Sequence, residues 1–252
     1  MSNNNLKAIT FDLWDTVFID DSDEPKRMEK GLSTKPVTRR NLVADFVSRH
    51  KDLSRDTIDA ANDIMDAAFR HVWYEQKITW TVKERLEILL KGLGLVLPLN
   101  GFDELIRQHE DMEVDISPAI AANIADALSI LSERYLLGVI SDTIITPGRG
   151  LRQILEKYDL LKYFKVFIFS DEVGFAKPLP IVFEAAAKEL KVELSEIVHI
   201  GDREEKDVDG PHAVGARAIL TTVIKDRGSE RTKADAICTD YKMLPDIISQ
   251  IN

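Results

Sequence analysis

The sequence predicts an α/β protein, a doubly wound parallel sheet interrupted after its first strand by an all-helical insert. Three features of the chain carry this reading. Short apolar runs alternate with helix-like segments from Pro118 onward, the pattern of parallel strands covered on both faces. One isolated run, residues 6–11, precedes everything else. Between the two parts, four amphipathic stretches follow one another with no strand-like run, as in a small helical bundle.

The elements support this in order. The run 6–11 (Leu-Lys-Ala-Ile-Thr-Phe) leads straight into Asp12. Residues 20–35 are charged, carry Gly and Pro, and read as a linker. In the first helix of the insert Leu42, Val43, Phe46 and Val47 share a face. In the second, Ile58, Ala61, Met65, Ala68, Phe69, Val72 and Trp73 recur at helical spacing behind Ser54 as N-cap. Thr81-Val82-Lys83-Glu84 is a capping box ahead of Leu86, Leu89 and Leu90, and Gly92 and Gly94 close that helix. A fourth helix is expected over 103–113. The remainder alternates: a helix holding Ile124, Leu128 and Leu131, strand 137–140, helix 151–158, strand 166–169, helix 181–190, strand 197–200, a helix around Ala213, and strand 218–220. The expected division is a core of residues 1–17 and 115–252 with a helical domain at 18–114.

Composition narrows the function. The 252 residues are 44% hydrophobic and 30% charged, ordinary values for a packed globular protein. A formal net charge of −10 argues against a nucleic-acid or anionic-membrane surface, since phosphate backbones need a basic footprint. A small anionic substrate stays compatible with it, because local cations act within a Debye length. Cys238 is the one cysteine, so the chain forms no internal disulfide and no cysteine zinc site; it reads as a buried apolar filler at a strand end. The opening MSNNNLK lacks a signal-peptide core and no apolar run reaches membrane-spanning length, so a cytoplasmic location is expected.

In open parallel sheets ligands bind beyond the carboxyl ends of the strands. Asp12 and Asp15 follow the first strand, Ser141 and Asp142 the second, Ser170 and Asp171 the third, with Lys177 further on. Gly201 and Asp202 follow the fourth, and Asp207 lies five residues past Asp202. Acidic groups converging from four strands repel unless a cation neutralises them or some turn away. A hard divalent ion with oxygen ligands answers this, and Mg²⁺ suits a site that also holds a phosphate. Any one Asp or Ser here would pass as a helix cap; the set with a lysine does not.

These residues resemble the haloacid dehalogenase superfamily. The matching pieces are Phe11-Asp12-Leu13-Trp14-Asp15-Thr16-Val17, Ile140-Ser141-Asp142, Gly174-Phe175-Ala176-Lys177-Pro178, and His199-Ile200-Gly201-Asp202 through Asp207 and Gly210. The helical insert stands where that family places its smaller type of cap. The resemblance implies a Rossmann-like core and a Mg²⁺-dependent phosphohydrolase of small phosphorylated metabolites. Asp12 would be the nucleophile and form an aspartyl-phosphate. Asp12, Asp202 and the backbone carbonyl of Trp14 would hold the metal. Ser141, with Asp142 beside it, would meet the phosphate, Lys177 would neutralise the transferring group, and Asp207 would orient Lys177 or a metal-bound water. The chemistry asks for such cations, because a carboxylate attacking an anionic phosphoryl group is opposed by like charge.

Two positions depart from the family pattern. Where most phosphatases of the family have a general-acid Asp two residues past the nucleophile, this chain has Trp14. A missing general acid is typically worth about 10²–10⁴ in rate. Three readings follow: Asp15 turns into the role, the leaving group needs no proton, or turnover is lost. Dehalogenases and phosphonatases of the family also lack that acid, but the dehalogenases use no metal, whereas Gly201-Asp202 is of the metal type. The second departure is Asp142, where Asn is usual; its charge requires a backbone or cationic partner.

The other polar and aromatic residues read as structural. His50, His71, His109 and His212 lack metal-ligand spacing, and His199 is expected to be a satisfied core residue. Trp73, Tyr74 and Trp80 are assigned to the bundle core ahead of the substrate side of the insert, and the basic run Lys35, Arg39 and Arg40 to a solvated helix face ahead of contact with an anionic substrate.

Overall fold

The computed structural model describes residues 6–251. Its six strands are β1 Ala8–Phe11, β2 Leu136–Ser141, β3 Phe164–Phe169, β4 Ile197–Gly201, β5 Arg217–Thr221 and β6 Ala236–Cys238. All pair in parallel, in the order β3-β2-β1-β4-β5-β6. The side-chain period of two sends Ile9 and Phe11 to one face and Ala8 to the other; Val198 and Ile200 oppose Ile197 in the same way. Each face therefore meets its own helical layer, and the inner strands are apolar almost throughout. The strand order reverses between β1 and β4, so the crevice beyond their carboxyl ends is the place a ligand fits.

The helices of the insert are α1 Glu24–Glu29, α2 Lys35–Ser48, α3 Arg55–His71, α4 Val82–Gly92, α5 Phe102–Glu110 and α6 Met112–Asp115. Those of the α/β part are α7 Ile124–Ser132, α8 Gly148–Lys157, α9 Ser170–Val173, α10 Pro180–Leu190, α11 Gly210–Ala213 and α12 Leu244–Ile251. Ser54 caps α3 through Thr57 N, and the Thr81/Glu84 capping box opens α4, both as the sequence predicts. Two expectations change. The stretch read as a linker contains α1, and Arg27 within it is buried, donating to Ser33 O and Thr38 Oγ1. The single helix expected over 103–113 is broken at Asp111 into α5 and α6.

The helical insert has a hydrophobic cluster of its own, centred on Phe46, Leu89, Leu90 and Leu105. Two chain crossings connect it to the sheet. There Ile19 N donates to Ala119 O at 2.8 Å and Ala121 N to Val17 O at 2.9 Å, with Phe18 and Ile120 paired antiparallel. Among the described residues no helix is long and apolar enough to cross a membrane. Cys238 is fully buried, and burial pushes its thiol up to about 12, an unreactive filler as expected.

Candidate active site

Asp12 extends the sheet one residue past β1, its N–H donating to Ile200 O at 2.9 Å. The chain then turns at once: the N–H groups of Val17 and Phe18 both donate to Leu13 O at 2.8 Å, and Asp15 takes the left-handed conformation (φ 53°). This turn presents Asp12 at the crevice while Leu13 and Val17 enter the core.

Around Asp12 the strand ends assemble a buried charge network. Lys177 Nζ donates to Asp12 Oδ1 at 2.8 Å and to Asp207 Oδ1 at 2.5 Å, and Ser141 Oγ donates to Asp12 Oδ1 at 3.0 Å. Asp207 is fixed further by His199 Nε2 at 3.1 Å and by the N–H of Arg203 at 2.9 Å. Thr10 Oγ1 lies 2.9 Å from His199 Nδ1. His199 is thus satisfied at both nitrogens, as expected, and burial holds it below its ordinary pKa. Gly201 makes the packing feasible, because a Cβ there would stand 2.3 Å from Asp207 Cγ.

The electrostatics follow from that burial. Desolvation pushes Asp12 up to about 7; Asp207 and Asp202 add to it and Lys177 opposes it. Desolvation alone would depress Lys177, but Asp12, Asp207 and Asp142 hold its ammonium charged well above the usual lysine range. Asp207 lies low because Lys177 and His199 outweigh its burial.

Asp12, Asp202 and Asp207 offer carboxylate oxygens within 4.8 Å of one another. Asp202 is raised by burial, and its Oδ1 is sealed from solvent with no hydrogen-bond partner. Both oxygens of Asp207 are already engaged. An orphaned buried carboxylate oxygen beside a second carboxylate, in an all-oxygen donor set, fits a hard divalent cation such as Mg²⁺.

A cavity of about 460 Å³ opens over Asp12, and Trp14, Asp142, Lys177 and Asp207 also line it. Asp142 has the two partners its charge requires: it accepts from Lys177 N at 2.9 Å and pairs with Lys206 at 2.8 Å. Trp14 is half-buried, its ring edge-on to Phe18 with centroids 5.9 Å apart. Asp15 is not on the cavity wall. Its Oδ2 pairs with Arg227 at 2.5 Å and its Oδ1 accepts the N–H of Asp20 at 3.2 Å, so both oxygens are engaged at the turn.

The third strand is followed by Lys177, which reaches Asp12, but its own terminal serine and acid do not contribute as expected. Ser170 and Asp171 open α9 and bond Thr143, and Asp171 also accepts from Gly148 N. Three strand ends converge on Asp12, and the fourth acid turns away to fix a loop.

Several wall residues escaped the sequence reading. Arg227 ion-pairs with both Asp202 and Asp15. The strand-end rule applied to β5 would have pointed toward its loop. Lys206 lies 3.6 Å from the centroid of the Trp73 ring. Trp73 and Tyr74 line the cavity outside the bundle core, Trp73 packing with Phe69 and Ala176 and Tyr74 standing exposed, which is the alternative the sequence left open. Asp20 also lines it, its carboxyl pushed up to about 6 by desolvation and by Asp21 and Asp15. Two π-helical turns, Val72–Gln76 and Glu204–Asp209, carry six of these wall residues, a distortion common at functional sites.

Comparison with known proteins agrees with this geometry. The glyceraldehyde 3-phosphate phosphatase of Pyrococcus furiosus is 24% identical, over 98% of this chain and 95% of its own. A HAD phosphatase structure from Thermococcus onnurineus superposes with a TM-score of 0.63 at 25% identity, covering 96% of this chain and 98% of that one. The 2-haloacid dehalogenase structure from Pseudomonas syringae pv. Tomato shares the fold, with a TM-score of 0.68 at 20% identity over 98% of this chain and all of that one. A family model for haloacid dehalogenase-like hydrolases matches residues 6–215, most of the chain including every strand end around Asp12. This protein belongs to the haloacid dehalogenase-like hydrolase family.

Proposed function

We propose that the protein is a Mg²⁺-dependent phosphohydrolase of small phosphorylated metabolites that works through an aspartyl-phosphate on Asp12. The observation that carries this is the buried Asp12 carboxylate, held by Lys177 and Ser141 on the wall of a cavity sized for a small molecule. Relatives named as phosphatases support the same reading.

In this mechanism an Asp12 oxygen attacks phosphorus, the bond to the leaving oxygen breaks, and its electron pair departs with that oxygen. Lys177 cancels charge on the phosphoryl oxygens, and Ser141 donates to one of them once substrate is bound. Water then attacks the acyl phosphate and frees Asp12 and inorganic phosphate. The metal would be held by Asp12, Asp202 and the Trp14 carbonyl, and when bound supplies positive charge to the transferring group and favours ionised Asp12. Asp207, with its oxygens fully engaged, positions Lys177.

The proton for the leaving group is assigned to Asp20. Apart from Asp12 it is the cavity-lining carboxyl whose pKa is raised, to about 6. Asp15 acts through it, by holding the Asp20 N–H, and through Arg227. Residues 18–114 form a cap whose α4 reaches the sheet side through Arg85, which donates to Ile144 O. That cap shields the site from bulk water.

Hydrolysis of p-nitrophenyl phosphate with Mg²⁺, its loss with chelator and its loss in Asp12→Asn test the assignment. Release of halide from a 2-haloacid without metal would instead favour the dehalogenase reading that Trp14 keeps open.

A further inference from the structure

A second cavity of about 560 Å³ adjoins the first, and Trp73, Tyr74, Ile144 and Ile145 line both. Much of its wall is apolar, yet it holds four arginines, Arg39, Arg40, Arg70 and Arg85, against one carboxylate, Asp66. Arg40 is committed: it pairs with Asp63 at 2.5 Å and stands 3.8 Å from Asp66. Arg39 is not, and Arg85 spends its Nη2 on Ile144 O while its Nε stays free. The Nε and Nη2 atoms of Arg39 are both sealed from solvent without a hydrogen-bond partner. These two atoms form the edge of a guanidinium that grips an oxyanion in bidentate fashion. Arg85 is 8% exposed, lies 4.2 Å over the Phe69 ring, and has an unpartnered Nε.

Most oxygens of the nearby acids are bonded, Asp23 Oδ2 and Glu24 Oε2 being the buried exceptions. Glu113 is bound by Lys35 and Thr146, Asp23 by Lys35, and Glu110 by Arg149. Buried guanidinium donors left open beside a like charge cost stability, and a fold keeps them when a ligand completes them. A solvated helix face, the expectation for this basic run, describes neither Arg39 nor the fully buried Lys35.

We propose that this second cavity is a subsite for a second oxyanion on the substrate, a carboxylate or a further phosphate, gripped by Arg39 and Arg85 while the reacting phosphoryl group meets Asp12. The substrates are then phosphorylated carboxylic acids or bisphosphates rather than phosphate esters with a neutral tail. This deepens the phosphohydrolase reading and rests on it.

The test compares 3-phosphoglycerate with glycerol 3-phosphate, which differ by carboxylate against hydroxymethyl. A second arm compares propane-1,3-diol bisphosphate with its monophosphate. The wild type is expected to favour the doubly anionic member of at least one pair by about tenfold or more in kcat/KM, one good charged contact. Arg39→Met is expected to collapse that ratio through KM, and Arg39→Lys to restore part of it. Arg39→Met should also raise the melting temperature by about 2–4 °C, since it removes an unpaired buried cation. That shift separates a binding role from a structural one.

Ratios near one in both arms, or an equal loss on both members of a pair, overturn the subsite. If no phosphate ester is hydrolysed, p-nitrophenyl phosphate included, the phosphohydrolase reading fails first. Calorimetric binding of 3-phosphoglycerate and of propane-1,3-diol bisphosphate then decides the subsite, and it falls if Arg39→Met binds both as the wild type does.

Discussion

Asp12 and Lys177 are each buried with a partner that makes its charge tolerable. Removing the lysine in Lys177→Met leaves Asp12 and Asp207 facing each other without their shared cation. A loss of about 3–5 kcal/mol is expected, the cost of an uncompensated buried charge, read by urea unfolding. Asp12→Asn keeps the shape and removes the proposed nucleophile, so kcat should fall by at least about 10³-fold. A variant that kept most of its activity would end the assignment of Asp12. Gly201→Ala tests the packing beneath the site: the new Cβ would overlap the Asp207 carboxylate, so Lys177 loses its anchor and kcat drops about 10–100-fold. Asp20→Asn should slow alkyl phosphates by about 10²–10⁴ and spare aryl phosphates, whose leaving group needs no proton. An equal effect on both would remove Asp20 from the acid role. Asp12, Lys177, Asp202 and Asp207 were all legible as residues that follow strands. Asp20 and Arg227 were not, because each lies in a loop whose path no local pattern encodes.

At the scale of elements, periodicity located five of the six described strands and most helices, missed α1, α9 and α12, touched β6 only through the strand end at Cys238, and also missed where the chain departs from regular geometry. The left-handed Asp15 and the π-helical turns at Val72–Gln76 and Glu204–Asp209 set which side chains face the cavity. Neither follows from apolar spacing. Helix α5 offers a pH test of its packing. His109 is 6% exposed, with Nδ1 2.8 Å from Leu105 O, and burial pushes it from 6.5 down to about 4, against that backbone bond. The unfolded chain therefore binds a proton that the folded helix refuses. Stability from this residue is full above pH 6.5 and is lost as the pH falls toward 4, on the order of 3 kcal/mol in all. In His109→Gln the melting temperature should fall less steeply across that window; an unchanged slope would show that His109 is not its source.

At the scale of the whole molecule, the proposed Mg²⁺ would couple to folding. An ion that binds folded but not unfolded chain stabilises by mass action, about 2.7 kcal/mol at a hundred times its dissociation constant. Millimolar Mg²⁺ should raise the melting temperature of the wild type, and Asp202→Asn should abolish the rise, a readout independent of turnover. If the rise survives in that variant, the ion binds elsewhere. The separate apolar cluster of the insert and its two crossings at residues 17–19 and 119–121 support the proposal that 18–114 form a cap. Because Arg85 joins that cap to the Ile144 loop, the second cavity is complete only when both parts meet.

The sequence by itself determined the fold class, the place of the helical insert and the identity of the charged groups at the strand ends. It did so because strand burial and helix amphipathicity are local periodicities and the motif residues follow the strands directly. Tertiary structure alone decided which acids converge: Asp171 turns to Thr143, and Asp15 to Arg227, because side-chain partners come from segments far apart in the chain. It also decided that Lys35 is neutralised among acids while Arg39, four residues on, lines a cavity with two buried nitrogens unpartnered. One helical turn separates the two, and only the packing of the rest of the chain around α2 gives one residue its counter-ions and withholds them from the other.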